Sequence, residues 1–66
     1  MIEIRVHDII NEEILATYKS DLCPRMGEQM VINGEAYRVA TVDHYIEVTT
    51  RGGKLMLVEV GVLYNV

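Results

Sequence analysis

The stretch that decides the fold is Gln29-Met30-Val31-Ile32-Asn33-Gly34-Glu35-Ala36-Tyr37-Arg38-Val39. Asn and Gly adopt a positive φ more readily than other residues, and such a pair between two apolar runs is typical of a type I′ β-hairpin. The sequence therefore predicts a strand over residues 29–32, a tight turn at Asn33-Gly34 and a second strand that begins near Ala36.

The strand after this turn is predicted to be long and bent. It extends over residues 36–49, and its apolar residues change from odd to even positions along the way. A β-bulge near Ala40-Thr41 restores the phase and bends the strand. Thr50-Arg51-Gly52-Gly53 is predicted to form the next turn, and residues 55–66 the last strand, with a bend or bulge at Gly61.

The N-terminal part of the chain also favours strands. Every second residue is apolar over residues 2–6, which is the period of a half-buried strand. Residues 8–19 have two interpretations: a connection followed by a return strand over residues 14–19, or a short helix that Asn11 would cap. The strand is favoured because this segment contains Thr and Tyr, which prefer sheets, and residues 20–27 are predicted to form a loop.

The composition agrees with a strand-rich protein. Val, Ile and Thr make up 20 of the 66 residues, and 50% of the chain is hydrophobic. β-Branched side chains suit a pleated surface, and a chain of this length forms one small domain. We predict a single all-β domain over residues 1–66, either a small SH3-like barrel or a curved antiparallel sheet of five to six strands.

Residues 24–42 resemble a recurring pattern of small β proteins: Gly27, a short apolar strand, a Gly-containing turn and then Tyr37-x-Val39-x-x-Val42. The pattern occurs in SH3-like barrels and in short uncharacterised proteins of bacteria and their phages. The resemblance implies a small barrel and the role of a phage-type accessory protein that modulates another protein. It carries over no binding residue.

The charge balance disfavours a nucleic-acid partner. Lys plus Arg is 6 and Asp plus Glu is 10, which gives a formal net charge of −4. Phosphate backbones are bound by clustered Lys and Arg. The alternative function that we keep is a small nucleic-acid-binding β-barrel that uses Arg25, Arg38, Arg51 and Lys54.

Few residues are suited to catalysis or metal binding. The candidates are Cys23, His7 and His44, with an Asp beside each His. Neighbours along a strand point to opposite faces, so an adjacent His and Asp do not easily serve one ion. We therefore predict no enzyme activity, no metal and no cofactor, and we expect Cys23 to be a free thiol.

The chain is predicted to be soluble and cytoplasmic. A single cysteine argues against a disulfide-stabilised secreted domain, and the first residues lack the apolar core of a signal peptide. The most apolar run, residues 55–66, is too short to span a bilayer as a helix. We expect no membrane partner.

That C-terminal run is apolar on both faces of a strand, with Glu59 as its only charged residue. A strand in a one-layer sheet has one wet face and is expected to alternate. Burial against another chain explains the second face, and a kink at Gly61 within one monomer is the alternative. We predict a non-catalytic protein–protein interaction module that binds itself or a larger protein through Val58, Val60, Val62 and Tyr64.

Overall fold

Strands form the whole framework of the chain. The computed structural model describes residues 1–65, and its strands are β1 (Ile2–Asp8), β2 (Glu13–Ser20), β3 (Gln29–Ile32), β4 (Glu35–Thr49) and β5 (Gly52–Tyr64). Residues 1–65 contain no helix, and hence no helix that could cross a membrane. The predicted all-β class is confirmed. The predicted last strand included Val66, which lies outside the described residues.

The five strands form one sheet in the order β2-β1-β5-β4-β3, which curls into a half-barrel. Three pairs of neighbours are antiparallel, but β1 and β5 run parallel. A parallel pair requires a long crossover connection, and here β2, β3 and β4 supply it. The curved sheet that the sequence predicts is therefore mixed, not wholly antiparallel.

The core lies on the concave face of β1, β5 and the first part of β4. Ile4 and Val6 of β1 are in register with Val58 and Val60 of β5. Within the described part of the chain, seven hydrophobic residues are buried: Ile4, Val6, Tyr37, Val39, Val58, Val60 and Val62. β1 and β5 each have a neighbouring strand on both sides. The curl of the sheet therefore covers the side chains that point inward from these two strands.

A buried aspartate shapes the connection between β1 and β2. Asp8 is 5% exposed, and its carboxylate accepts hydrogen bonds from the backbone N–H groups of Ile10 and Asn11 at 2.9 and 3.3 Å. The carboxylate also accepts one from the Asn11 side chain at 3.1 Å. Glu12 then adopts a φ of 58°. These local bonds offer the backbone an alternative to a helix, so the helix considered for residues 8–19 does not form.

The predicted bulge in β4 is present. Val39 pairs with Val62 and Thr41 pairs with Gly61, which leaves Ala40 as the extra residue. The bulge lies in β4, opposite Gly61 of β5. Gly61, where a bend or bulge was also predicted, is itself paired with Thr41. Glycine is needed at position 61 because other side chains approach its backbone closely. A Cβ on Gly61 would touch the Thr41 hydroxyl and would lie 2.9 Å from the Ile9 side chain.

Replacing Gly61 by alanine is expected to destabilise the fold. The added methyl would overlap Thr41 and Ile9, and overpacking of this kind costs about 1–3 kcal/mol. Urea denaturation followed by circular dichroism measures the change. Gly53→Ala is the matched control, because a Cβ there meets its nearest atom at an ordinary 3.5 Å. Equal stability of the two variants would contradict the close approach at Gly61.

The hairpin turn at Asn33-Gly34 has positive φ at both residues, 51° and 82°. This agrees with the predicted type I′ geometry. We expect Gly34→Val to lower the free energy of unfolding by about 1–2 kcal/mol, since β-branched residues resist this region. Gly34→Asn is the control and is expected to lose less, because Asn tolerates it. An unchanged melting temperature for Gly34→Val would contradict the turn geometry.

Candidate functional site

A two-stranded arm projects from the half-barrel. We define the arm as residues 43–56, which comprise the distal part of β4, the turn and the start of β5. β1 pairs with β5 only from Val58 onwards, and β3 pairs with β4 only up to Arg38. Within the described chain, no third strand therefore flanks the arm. Every one of its residues is exposed.

The two faces of the arm differ in chemistry. Ile46 pairs with Leu55 and Val48 pairs with Gly53, and paired residues of an antiparallel ladder share a face. A Cβ on Gly53 would lie 3.5 Å from Ile46, which confirms this assignment. We call Ile46, Val48 and Leu55 the apolar arm face. The other face carries the Glu47–Lys54 pair together with Tyr45, which pairs with Leu57.

The apolar arm face continues the concave face of the barrel without a cover. His44 pairs with the buried Val58, and Ile46 and Val48 follow at alternate positions along β4. Ile46, Val48 and Leu55 are 59%, 77% and 39% exposed. An isolated two-stranded hairpin is only marginally stable in water, and contiguous exposed apolar surface marks interaction sites. The arm therefore has the properties of a contact surface.

A groove of about 500 Å³ lies at the base of the arm, on the same concave side. Loop residues 21–26 form one wall, and Val42 and His44 of β4 form the other. Leu22 and Met26 are 80% and 70% exposed, so the loop presents apolar side chains to solvent. The groove and the apolar arm face meet at His44 and form one continuous surface.

Three of the four contact residues predicted from the sequence are buried within the chain. Val58, Val60 and Val62 are fully buried in the chain's own core, so a partner cannot touch them while β5 stays in the sheet. Tyr64 is 53% exposed and packs edge-on against Tyr37, with ring centroids 5.5 Å apart. Parallel pairing with β1 and the curl of the sheet bury the three valines, so Tyr64 is the exposed member of the predicted set.

The four basic residues considered for nucleic acid do not form one patch. Arg51 and Lys54 lie in the arm, and Arg25 lies in the loop beside the groove. Arg38 pairs with Gln29 near the opposite end of β4, nine residues before the partner of Lys54. At about 3.3 Å per residue, this places it roughly 30 Å away. The geometry does not support a single cationic surface.

The structure brings Cys23 and His44 to one groove and leaves His7 on the opposite face of the sheet. Cys23 and His44 line the groove on the concave side. His7 lies on the convex face, where its Nδ1 is 3.4 Å from Glu59 Oε1. Cys23 is a free thiol whose Sγ donates to the Pro24 carbonyl at 3.5 Å. Among residues 1–65, no three His, Cys, Asp or Glu side chains are placed to hold a metal ion.

Glu59, the only charged residue of the C-terminal run, forms an ion pair on the convex face. Arg5 Nη2 donates to Glu59 Oε2 at 2.9 Å across the parallel β1–β5 pair. This hydrogen bond and the negative charge of Glu59 raise the pKa of Arg5. Both side chains are partly exposed, so the pair contributes modestly to stability. The pair joins β1 and β5 at the register position Arg5–Glu59.

Comparison of this chain with protein-family models, with curated proteins and with solved structures finds no match. The resemblance of residues 24–42 to SH3-like barrels therefore remains a prediction. What the structure adds to it is a curled five-stranded sheet.

Proposed function

We propose that this chain is a non-catalytic, cytoplasmic protein–protein interaction module, and that it acts through the apolar arm face. The observation that carries the proposal is the exposed row of Ile46, Val48 and Leu55 on a hairpin that no third strand flanks among residues 1–65. A role as an accessory protein that modulates another protein is compatible with this arrangement.

The shape of the chain supports the same proposal. Its radius of gyration is 12.8 Å, whereas a compact chain of this length has about 10.8 Å. Its longest extent is 46 Å and the other two are 21 and 19 Å. A projecting arm of this kind exposes surface that a lone globule would bury, and burial of that surface by a partner would recover the lost stabilisation.

Site-specific photo-cross-linking in living cells tests this proposal. A photoreactive phenylalanine analogue at Val48 would lie on the apolar arm face, and the same analogue at Lys19, an exposed residue of β2, is the control. We expect cross-linked protein from position 48 and much less from position 19. Equal cross-linking at both positions, or none at either, would contradict an interaction through the arm.

The nucleic-acid alternative receives less support. The arm carries Arg51 and Lys54, but Asp43 and Glu47 cancel their charge. Electrostatic binding to nucleic acid depends on the number of phosphates that are neutralised. A measurable, salt-dependent affinity for generic DNA or RNA would favour this alternative over the proposed module.

A further inference from the structure

The arm and the groove have the features of two complementary surfaces that contact each other. The apolar arm face offers aliphatic side chains on a narrow ribbon, and the groove offers Leu22, Pro24 and Met26 on its loop wall. Both lie on the concave side and meet at His44. One molecule cannot use both together, because its arm points away from its own groove along β4.

We infer that the occupant of each groove is the arm of a second copy of this chain. Two arms lie antiparallel about a two-fold axis near Ile46, and each seats its apolar arm face in the groove of the other chain. In such an isologous contact the same patch serves on both subunits. The inference rests on the proposed function and names its partner.

The distribution of charge favours a second copy. The chain carries −4 overall, but the two acids and two bases of the arm cancel. The groove is lined by one acid and one base, Asp21 and Arg25. The surfaces that would meet are therefore both neutral, and the net charge of each copy stays outside the contact.

The exposed area has the size that a small dimer needs. The chain exposes 4914 Å², whereas a compact monomer of 7.5 kDa exposes about 4,250 Å². The excess is roughly 650 Å², and a specific interface buries about 600–1,000 Å² on each partner. The excess exposed area of the chain is thus approximately one half of such an interface.

The geometry predicts a specific pair of neighbours. With the two-fold axis near Ile46, residue 48 of one chain lies opposite residue 44 of the other. His44 lines the groove together with Cys23, the single cysteine of the chain. A thiol introduced at Val48 should therefore lie close to Cys23 of the second copy.

Disulfide trapping of Val48→Cys under mild oxidation tests this inference. Val48 is 77% exposed, so the variant is expected to fold. We expect a covalent dimer in which most bridges join the new thiol to Cys23 of the other chain. Lys19→Cys is the control for random collision. Val48→Cys combined with Cys23→Ser is the control for bridges between two new thiols, and both controls are expected to give little dimer.

A variant that stays at the mass of one chain, or forms bridges only between the two new thiols, would overturn the reciprocal seating. If it stays monomeric while the photoreactive group at Val48 captures a different protein in cells, the second copy is the wrong partner and the proposed function stands. If disulfide trapping gives no covalent dimer and photo-cross-linking gives no product, the inference and the proposed function fail together.

Discussion

Replacing Val60 by lysine is expected to unfold the chain. Val60 is fully buried between Val6 of β1 and Val42 of β4. An unpaired ammonium group in such a place costs several kcal/mol, and a domain of this size rarely has more than about 3–5 kcal/mol of stability. Far-ultraviolet circular dichroism at 25 °C measures the loss of the strand signal.

Val48→Lys is the matched control for this prediction. Its side chain is 77% exposed and lies beyond the end of the core, and we expect the variant to keep the circular dichroism spectrum of the wild type. A folded Val60→Lys variant would mean that β5 does not occupy the centre of the sheet. An unfolded Val48→Lys variant would mean that the arm face is part of the core.

Removal of the Asp8 carboxylate is expected to cause the second large loss of stability. Asp8→Ala removes the acceptor of three hydrogen bonds, two of them from backbone N–H groups, at a residue that is 5% exposed. A hydrogen bond to a charged acceptor contributes about 1.5–3 kcal/mol, and water at the exposed Ile10 and Asn11 recovers part of the loss. We expect the free energy of unfolding to fall by about 2–3 kcal/mol in urea denaturation.

Asp21→Ala provides the control for Asp8→Ala. Asp21 is exposed, so its replacement is expected to change stability by less than about 0.5 kcal/mol. If Asp8→Ala were as stable as Asp21→Ala, the carboxylate would not organise the β1–β2 connection.

Local features of the fold were predictable from the sequence because local chemistry determines them. The bounds of β3, the turn at Asn33-Gly34 and the bulge at Ala40 all agree with the structure. Each depends on residues that are neighbours along the chain: a pair that tolerates positive φ, or a change of apolar phase within one strand.

The partner of β5 was not predictable in the same way. Residues 55–66 are apolar on both faces, which predicts burial but not what provides it. The parallel neighbour β1 is more than 50 residues away in sequence, and nothing in the pattern of either strand specifies that contact. Val58, Val60 and Val62 were therefore assigned to a partner although β1 and the curl of the sheet bury them.

Strand length is a signal for the arm that the sequence-based prediction does not use. β4 has 15 residues and β5 has 13, whereas β1 has 7 and β3 has 4. Two long strands between short neighbours must extend beyond the sheet, and the apolar phase of Ile46 and Val48 continues into that extension. The mismatch in strand length, combined with this phase, would have located the arm.

Sedimentation equilibrium of the wild type and of Val48→Lys tests most directly whether the arm is the contact between two copies. We expect the wild type to have twice the chain mass of 7.5 kDa and Val48→Lys to have the mass of one chain with an unchanged circular dichroism spectrum. A wild type with the mass of one chain at high concentration would contradict self-association. A dimeric Val48→Lys variant would place the contact elsewhere on the molecule.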